Sequence, residues 1–404
     1  MAGTGPISLD DAREVVLAAA APLPAVEVAL AAALELHLAE DVVAGSPLQS
    51  FDNSAMDGYA VRVADLAGAA PEAPVALTLA GESRAGHPAG AALGPGEAIA
   101  ISTGAMLPAG ADTVVRVEDT SSAEGRVEIA ASPAPGANVR RAGEDVAAGA
   151  TVLRRGDRLG PAALGLLAAL GVESVACHRR PRVAVVTSGD ELVPLGRPLP
   201  PGGIRDSNST TLAALLAQSG ADLQSVSTAG DSLAATVAAL EPALAADAVI
   251  VSGGVSVGEH DHVKEALARL GVEQGFWRVS LRPGGPAFFG HRDRTLVFGL
   301  PGNPVSVFVT FTLLAAPALA ALAGGSPRRR RASASLAAAY EKRTDRTEAV
   351  RCDLELTDGG WAASPRPRQG SHVLTSLLDA DCLALLPGPP RRFEAGERVE
   401  VELL

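Results

Sequence analysis

The chain has 404 residues, longer than a single hydrophobic core organises, so roughly two to four domains are expected. Charged residues are 20% and aromatics 3%, the composition of a soluble globular protein whose cores must be built mainly from Ala, Val and Leu. A formal charge of −12 argues against nucleic acid as a general partner, and Cys177, Cys352 and Cys382 are too scattered for a disulfide framework or a zinc site, so a reducing cytoplasm is expected.

In chain order, acids and Arg13 interrupt any apolar stretch near the N-terminus, so no secretory signal is expected. Residues 8–41 predict an amphipathic helical region with Ser8 as N-cap. From 51 to about 139 short β-type runs (VALTLA, EAIAIST, DTVVRVED, RVEIA) between Gly and Pro predict a β-rich module. Helical text returns at 160–170, a Pro-started helix, and ESVACHRRPRVAVV leads into a strand. From Arg182 the strands RVAVVTS, LQSVSTAG, DAVIVSG and LVFGLPG alternate with helices over 209–219, 233–244, 263–270 and 305–322, the pattern of a doubly wound α/β domain. The last of these helices lies in a stretch without charge and is apolar enough to suggest a membrane span. Asn303, Pro304, Thr310, Thr312 and Pro317, with the strand just before, favour a buried core helix, so no membrane insertion is expected. Residues 328–331, all arginine, are expected to be a solvated linker, and the short strands beyond them, ending in ERVEVELL, predict a small C-terminal β-domain. The fold class is therefore α/β multidomain. It comprises a mixed linking domain (1–50 with 140–179), a β-rich inserted module (51–139), a central doubly wound α/β domain (180–327) and a C-terminal β-domain (328–404).

The chemistry concentrates where strands end. In AVIVSGGVSVGEHDHVKEAL (248–267) a buried-strand run enters a Gly-rich turn and leaves as a helix. Gly253, Gly254 and Gly258, with Ser252 and Ser256, let backbone amides approach an anion, while Glu259 and Asp261 suit a divalent cation such as Mg²⁺ bridged to phosphate. A structural turn whose acids cap the helix explains this loop equally well. TSGDEL places Asp190 and Glu191 at another strand end, and TAGDS places Asp231. IRDSNST offers Asp206 and Asn208 as caps or ligand donors, and LPGNPVS brings Pro301, Gly302, Asn303 and Ser306 to the same rim. Capping explains each loop singly; their convergence argues for a site.

Together with FDNSAMDGYAV (51–61), RAGEDV (141–146) and QGSH (369–372), the loops SGGVSVGEHD and LPGNPVS resemble the MoeA/gephyrin E-domain family, in the same order over essentially the whole chain. The resemblance implies insertion of molybdate into adenylated molybdopterin with Mg²⁺, releasing AMP and molybdenum cofactor. It implies substrate and Mg²⁺ roles for Asp190, Glu191, Asp231, Glu259 and Asp261, with Asp145 a further metal candidate, and a molybdate pocket of Arg282, Pro283, Ser306, Arg351 and Ser371. It also implies a homodimer in which Asp52, Asn53, Ser54, Asp57 and Thr103 reach the partner's crevice, Asp57 and Thr103 with catalytic roles. Asx hydrogen bonds that merely hold the module together are the competing account of that string. A molybdopterin adenylyltransferase and molybdoenzyme apoproteins are the implied partners. An adenylyltransferase itself would share the α/β module alone, and a gephyrin-like scaffold that binds a protein such as a cell-division protein at the dimer groove is the alternative function. One departure stands out. Relatives often carry a cation at both ends of a KPGKP string, whereas 282–286 reads RPGGP, leaving Gly285 without one. Arg278 and Arg292 are the nearby candidates to replace it.

Overall fold

The computed structural model describes residues 5–255, 261–327 and 330–404. It divides into two compact units, one of Met1–Glu40, Gly156–Gly160 and Ser174–Leu404, the other of Asp41–Arg155 and Pro161–Glu173.

In the larger unit a six-stranded sheet runs Asp222–Ala229, Arg182–Ser188, Ala248–Ser252, Thr295–Leu300, Phe288–Arg292, Glu273–Trp277. The first four strands are mutually parallel, as expected from the alternation of strand and helix text. The last two strands join by antiparallel pairings, Phe288–Arg292 to Thr295–Leu300 and Glu273–Trp277 to Phe288–Arg292, and the sequence reading missed both. Side chains along the central strands alternate between two cores. Val183, Val185, Ile250 and Phe298 pack with Leu9, Leu212, Leu216 and the helical stretch after Pro304. Ala184, Val186, Val251 and Val297 pack on the other face with Leu240, Val263 and Leu267. A sheet with helices on both faces is doubly wound, and burial on both faces is why these strands read as continuous apolar runs. The uncharged stretch Pro304–Leu322 is long and apolar enough to cross a membrane, yet it is a core helix, with 83% of it buried inside the fold.

The expectation of helix over 8–41 is corrected. Ser8 does cap a helix, accepting from Asp11 N–H, but the helix covers only Leu9–Ala19. Pro22 and Pro24 follow it, and Ala25–Ala29 and His37–Leu38 are strands on either side of Ser174–His178. Proline lacks the N–H a helix needs, and the alternation in AVEVA is strand-like.

The C-terminal strands Arg331–Leu336, Thr347–Thr357, Gly360–Pro365, Cys382–Leu386 and Arg398–Leu403 close into a ring, because Thr347–Thr357 pairs with both Gly360–Pro365 and Cys382–Leu386. Closure removes the free edges that a small sheet would otherwise expose. Val350, Cys352, Ala384 and Val401 fill its interior.

In the smaller unit a second six-stranded sheet runs Thr113–Arg116, Gly58–Val61, Glu97–Ile101, Val75–Ser83, Arg126–Ile129, Thr120–Ala123. All four runs read from the sequence are in it. Gly58 is required by its pairing, since a Cβ there would run into the backbone carbonyl of Val115.

Candidate active site

The parallel strands end in register. Ser188 lies beside Ala229, Thr187 beside Ser252, and Ser252 beside Leu300, so the loops that follow emerge along one rim. They form a crevice of about 380 Å³ lined by Ser188, Gly189, Glu191, Asp231, Gly253, Gly254, Val255, Asp261, Pro286, Pro301, Gly302 and Asn303. Open α/β sheets bind ligands at such carboxyl ends. Gly253 is held at φ 92°, and a Cβ would come within 2.8 Å of the Ser188 carbonyl, so only glycine lets the two loops approach this closely. Asp190 and Asp231 each accept from the other's backbone N–H, at 3.2 and 3.4 Å, which ties two acidic loops together. Ser256, Gly258 and Glu259 lie outside the described residues. Val255, just before them, is held by the Trp277 indole N–H at 3.1 Å, and Lys264 and Arg278 flank that ring at 4.2 and 4.6 Å.

Two of the expected substrate residues are engaged by the fold. Asp206 caps the helix Ser207–Gln218 by accepting from Ser209 N–H at 2.9 Å, and also accepts from the Thr187 hydroxyl. Asn208 donates its amide to Ser252 Oγ at 3.0 Å and to the Gly302 carbonyl at 2.7 Å, bridging two strand ends. Its Oδ1 is buried without a partner among the described residues, an acceptor left open beside the crevice.

A second constellation adjoins the start of the long apolar helix. The Ser371 carbonyl accepts from Val305 N–H at 3.1 Å, next to buried Ser306. Arg351 is only 1% exposed. Its Nε donates to Ser376 Oγ and its terminal nitrogens to the carbonyls of Ala349, Arg368 and Gly370, which uses four of its five N–H groups. No carboxylate faces it among the described residues, and burial pushes its guanidinium down to about 10, with nearby Arg282 adding to the effect. Arg282, which precedes Pro283, is neutralised by buried Glu348 at 3.2 Å. Burial raises the Glu348 carboxyl, but hydrogen bonds from Arg343 N–H, Thr344 and Tyr340 together with Arg282 outweigh it and hold the carboxyl below its ordinary range. Glu348 was not legible in advance, because TEAVRC looks like any edge of a strand. Pro286, Ser188, Gly189 and Val255 were also missed as crevice walls, although all four adjoin residues already singled out.

Asp52, Asn53, Ser54, Asp57, Thr103 and Asp145 belong to the smaller unit. There Asp52 accepts from Ala142 N–H at 2.8 Å and pairs with Arg141, contacts that hold its carboxyl low. The Ser54 hydroxyl bonds within its own turn to Met56, and Asn53 is buried. Asp57 is exposed and accepts from both the backbone and the hydroxyl of Thr103, at 2.7 and 3.0 Å. Asp145 is exposed.

Three family descriptions match the chain: the MoeA N-terminal region (domain I and II) over 7–171, a probable molybdopterin binding domain over 184–321, and the MoeA C-terminal region (domain IV) over 333–404. A molybdopterin molybdenumtransferase of Haemophilus influenzae is 38% identical over 369 residues, covering 90% of each chain. The chain belongs to the molybdopterin molybdenumtransferase (MoeA) family. The family's molybdopterin molybdenumtransferase 2 of Mycobacterium tuberculosis is 40% identical over 93% of this chain and 94% of its own. A crystal structure of the MoeA protein of molybdopterin biosynthesis from Pyrococcus horikoshii superposes with a TM-score of 0.83 at 33% identity, covering 99% of both chains. The multidomain MoeA fold thus extends across the whole chain, with the strand-end crevice inside its molybdopterin-binding segment.

Proposed function

We propose that this chain acts in molybdenum cofactor synthesis as a molybdenum insertase: it places molybdate into the dithiolene of adenylated molybdopterin in the presence of Mg²⁺, and AMP and molybdenum cofactor are released. The observation that carries the reading is the joining of glycine amides (Gly253, Gly254) and three carboxylates (Glu191, Asp231, Asp261) in one crevice. Amides suit a pyrophosphate-linked nucleotide, and acids suit the cation that accompanies it.

The donor set fits magnesium. This ion takes one or two protein carboxylates and completes its shell with phosphate and water, so it needs no ready-made cluster of three, and none occurs among the described residues. Asp190, Glu191, Asp231 and Asp261 would hold it, with Glu259 as a further candidate. Bound there, magnesium supplies positive charge against the phosphates. The chain's own residues do the rest of the positioning. Asn208 offers its open acceptor to a ring N–H. Arg351 offers a buried charge and one unused N–H to a doubly charged oxyanion, beside Ser306, Ser371, Arg282 and Pro283.

The reading includes a cytoplasmic homodimer in which Asp57 and Thr103 close the partner's crevice, and a four-part chain divided as 1–50 with 140–179, 51–139, 180–327 and 328–404. The exposed Asp57–Thr103 pair supports the first of these. Adenylyltransferase and apoenzyme partners follow from the same reading. Magnesium-dependent release of AMP from adenylated molybdopterin on adding molybdate is the test. Asp261→Asn is expected to abolish release while the chain stays folded. Full turnover in that variant removes Asp261 from the reaction, and no release by the unsubstituted chain ends the reading.

A further inference from the structure

Arg346 is an exposed arginine with no hydrogen bond or ion pair among the described residues. Its position relative to the turn 282–286 is nevertheless specific. Its Nη1 lies 2.7 Å from where a Cβ on Gly285 would stand, so the guanidinium fills the space that a side chain at 285 would occupy. The backbone brings the two together: Leu281–Arg282 pairs in parallel with Thr347–Glu348, and Thr347 N–H donates to the Ser280 carbonyl at 2.9 Å. Gly285 precedes Pro286, a wall of the crevice.

The two arginines nearest the turn in sequence are engaged elsewhere. Arg278 stacks on Trp277, and Arg292 donates to the Leu270 carbonyl at 3.4 Å. Arg282 is balanced by Glu348. Arg346, by contrast, has neither an ion pair nor a hydrogen bond among the described residues, and its guanidinium stands at the turn itself. A glycine at 285 and an arginine at 346 are two halves of one arrangement, in which the residue without a side chain makes room for a charge delivered from the C-terminal barrel.

We propose that Arg346 is an anion-binding residue of the crevice, which draws a tetrahedral oxyanion to the turn 283–286. The assignment rests on the insertase reading for the identity of that oxyanion, which is molybdate itself or a phosphate of the nucleotide. A planar guanidinium with five N–H groups suits either.

The test measures equilibrium binding of molybdate to the full chain, and separately the concentrations of molybdate and of adenylated molybdopterin that give half-maximal AMP release. Arg346→Ala is expected to weaken one of these by about 10- to 100-fold, the effect of losing one charge-assisted contact. A change in molybdate dependence assigns molybdate to Arg346, and a change confined to the adenylated pterin assigns its phosphate. Arg346→Lys should recover part of the loss. Adding Gly285→Lys to Arg346→Ala should restore the parameter to within about threefold, because the new side chain starts in the vacated space and returns one positive charge to the turn. Unchanged binding and half-saturation in Arg346→Ala, alongside normal turnover by the unsubstituted chain, overturn the assignment and leave the insertase reading standing. A loss that neither lysine variant relieves marks a structural role and also overturns it. An unsubstituted chain that neither binds molybdate nor releases AMP defeats both.

Discussion

The buried guanidinium of Arg351 makes oxyanion binding measurable without any pterin. Burial lowers its pKa from 12.5 to about 10, which means that the charged form is disfavoured inside the fold by about 3 kcal/mol. For a base whose folded pKa is depressed, that penalty is fully present below about pH 10, hence at neutral pH, and fades as the pH rises from there towards 12.5. An oxyanion that takes the unused N–H and supplies counter-charge should return roughly 1.5–3 kcal/mol of it. At about 2–4 °C of midpoint for each kcal/mol in a unit of this size, saturating molybdate raises the thermal transition by roughly 3–12 °C. Scanning calorimetry of the chain in molybdate, tungstate and chloride at equal ionic strength checks this. Tungstate, nearly the same in size and charge, should match molybdate, and chloride should do nothing. Arg351→Met should abolish the response, because the charge that calls for the anion is gone. A midpoint unmoved by saturating molybdate, or moved equally in the variant, refutes the reasoning.

Two further predictions concern the scaffold. Gly58→Ala should cost roughly 2–4 kcal/mol in urea unfolding, since the added methyl must push strand Gly58–Val61 away from the Val115 carbonyl; an unchanged midpoint would show that the pairing is looser than described. Asp247 is raised by burial, but hydrogen bonds from Arg179 and from Arg182 N–H prevail and hold it at about 2. A lowered carboxylate adds stability above its unfolded value of 3.8 that is lost as the pH falls from there through about 2, and Asp247→Asn should remove about 2 kcal/mol at neutral pH and flatten the acid limb of the stability curve. An acid limb identical in the variant counts against the pairing.

The α/β core was readable because its strands are buried on both faces and carry uninterrupted apolar text, and because Gly, Pro and acids punctuate their ends. From the alternation of strand and helix text and the motifs at the strand ends the rim followed, and with it Glu191, Asp231, Asp261, Gly253 and Asn303 in one crevice. The reading failed where text and tertiary pairing part company. Residues 20–41 are so rich in Ala and Leu that the period is blurred over most of the stretch, and only Pro22, Pro24 and the short alternation in AVEVA signalled the break. Glu273–Trp277 and Phe288–Arg292 are antiparallel strands interrupted by Gly275 and Gly290, which weakens any alternation.

The charges show the deeper reason why a site is only partly legible. Proximity in sequence made Arg278 and Arg292 the natural replacements for a cation absent at Gly285, yet both are drawn off by local partners, a tryptophan ring and a helix-end carbonyl. The guanidinium that reaches the turn comes from the far side of a strand pairing, Leu281–Arg282 with Thr347–Glu348, that no local pattern announces. That same pairing sets Glu348 against Arg282, while Arg351, farther along the strand, faces no carboxylate among the described residues. Strand-end loops can be listed from periodicity, but which cation stays uncompensated depends on register between elements distant in sequence. An electrostatic site built across a barrel and a sheet is therefore written in the pairing of their strands, where a one-residue slip would exchange which of Glu348 and its neighbours meets Arg282.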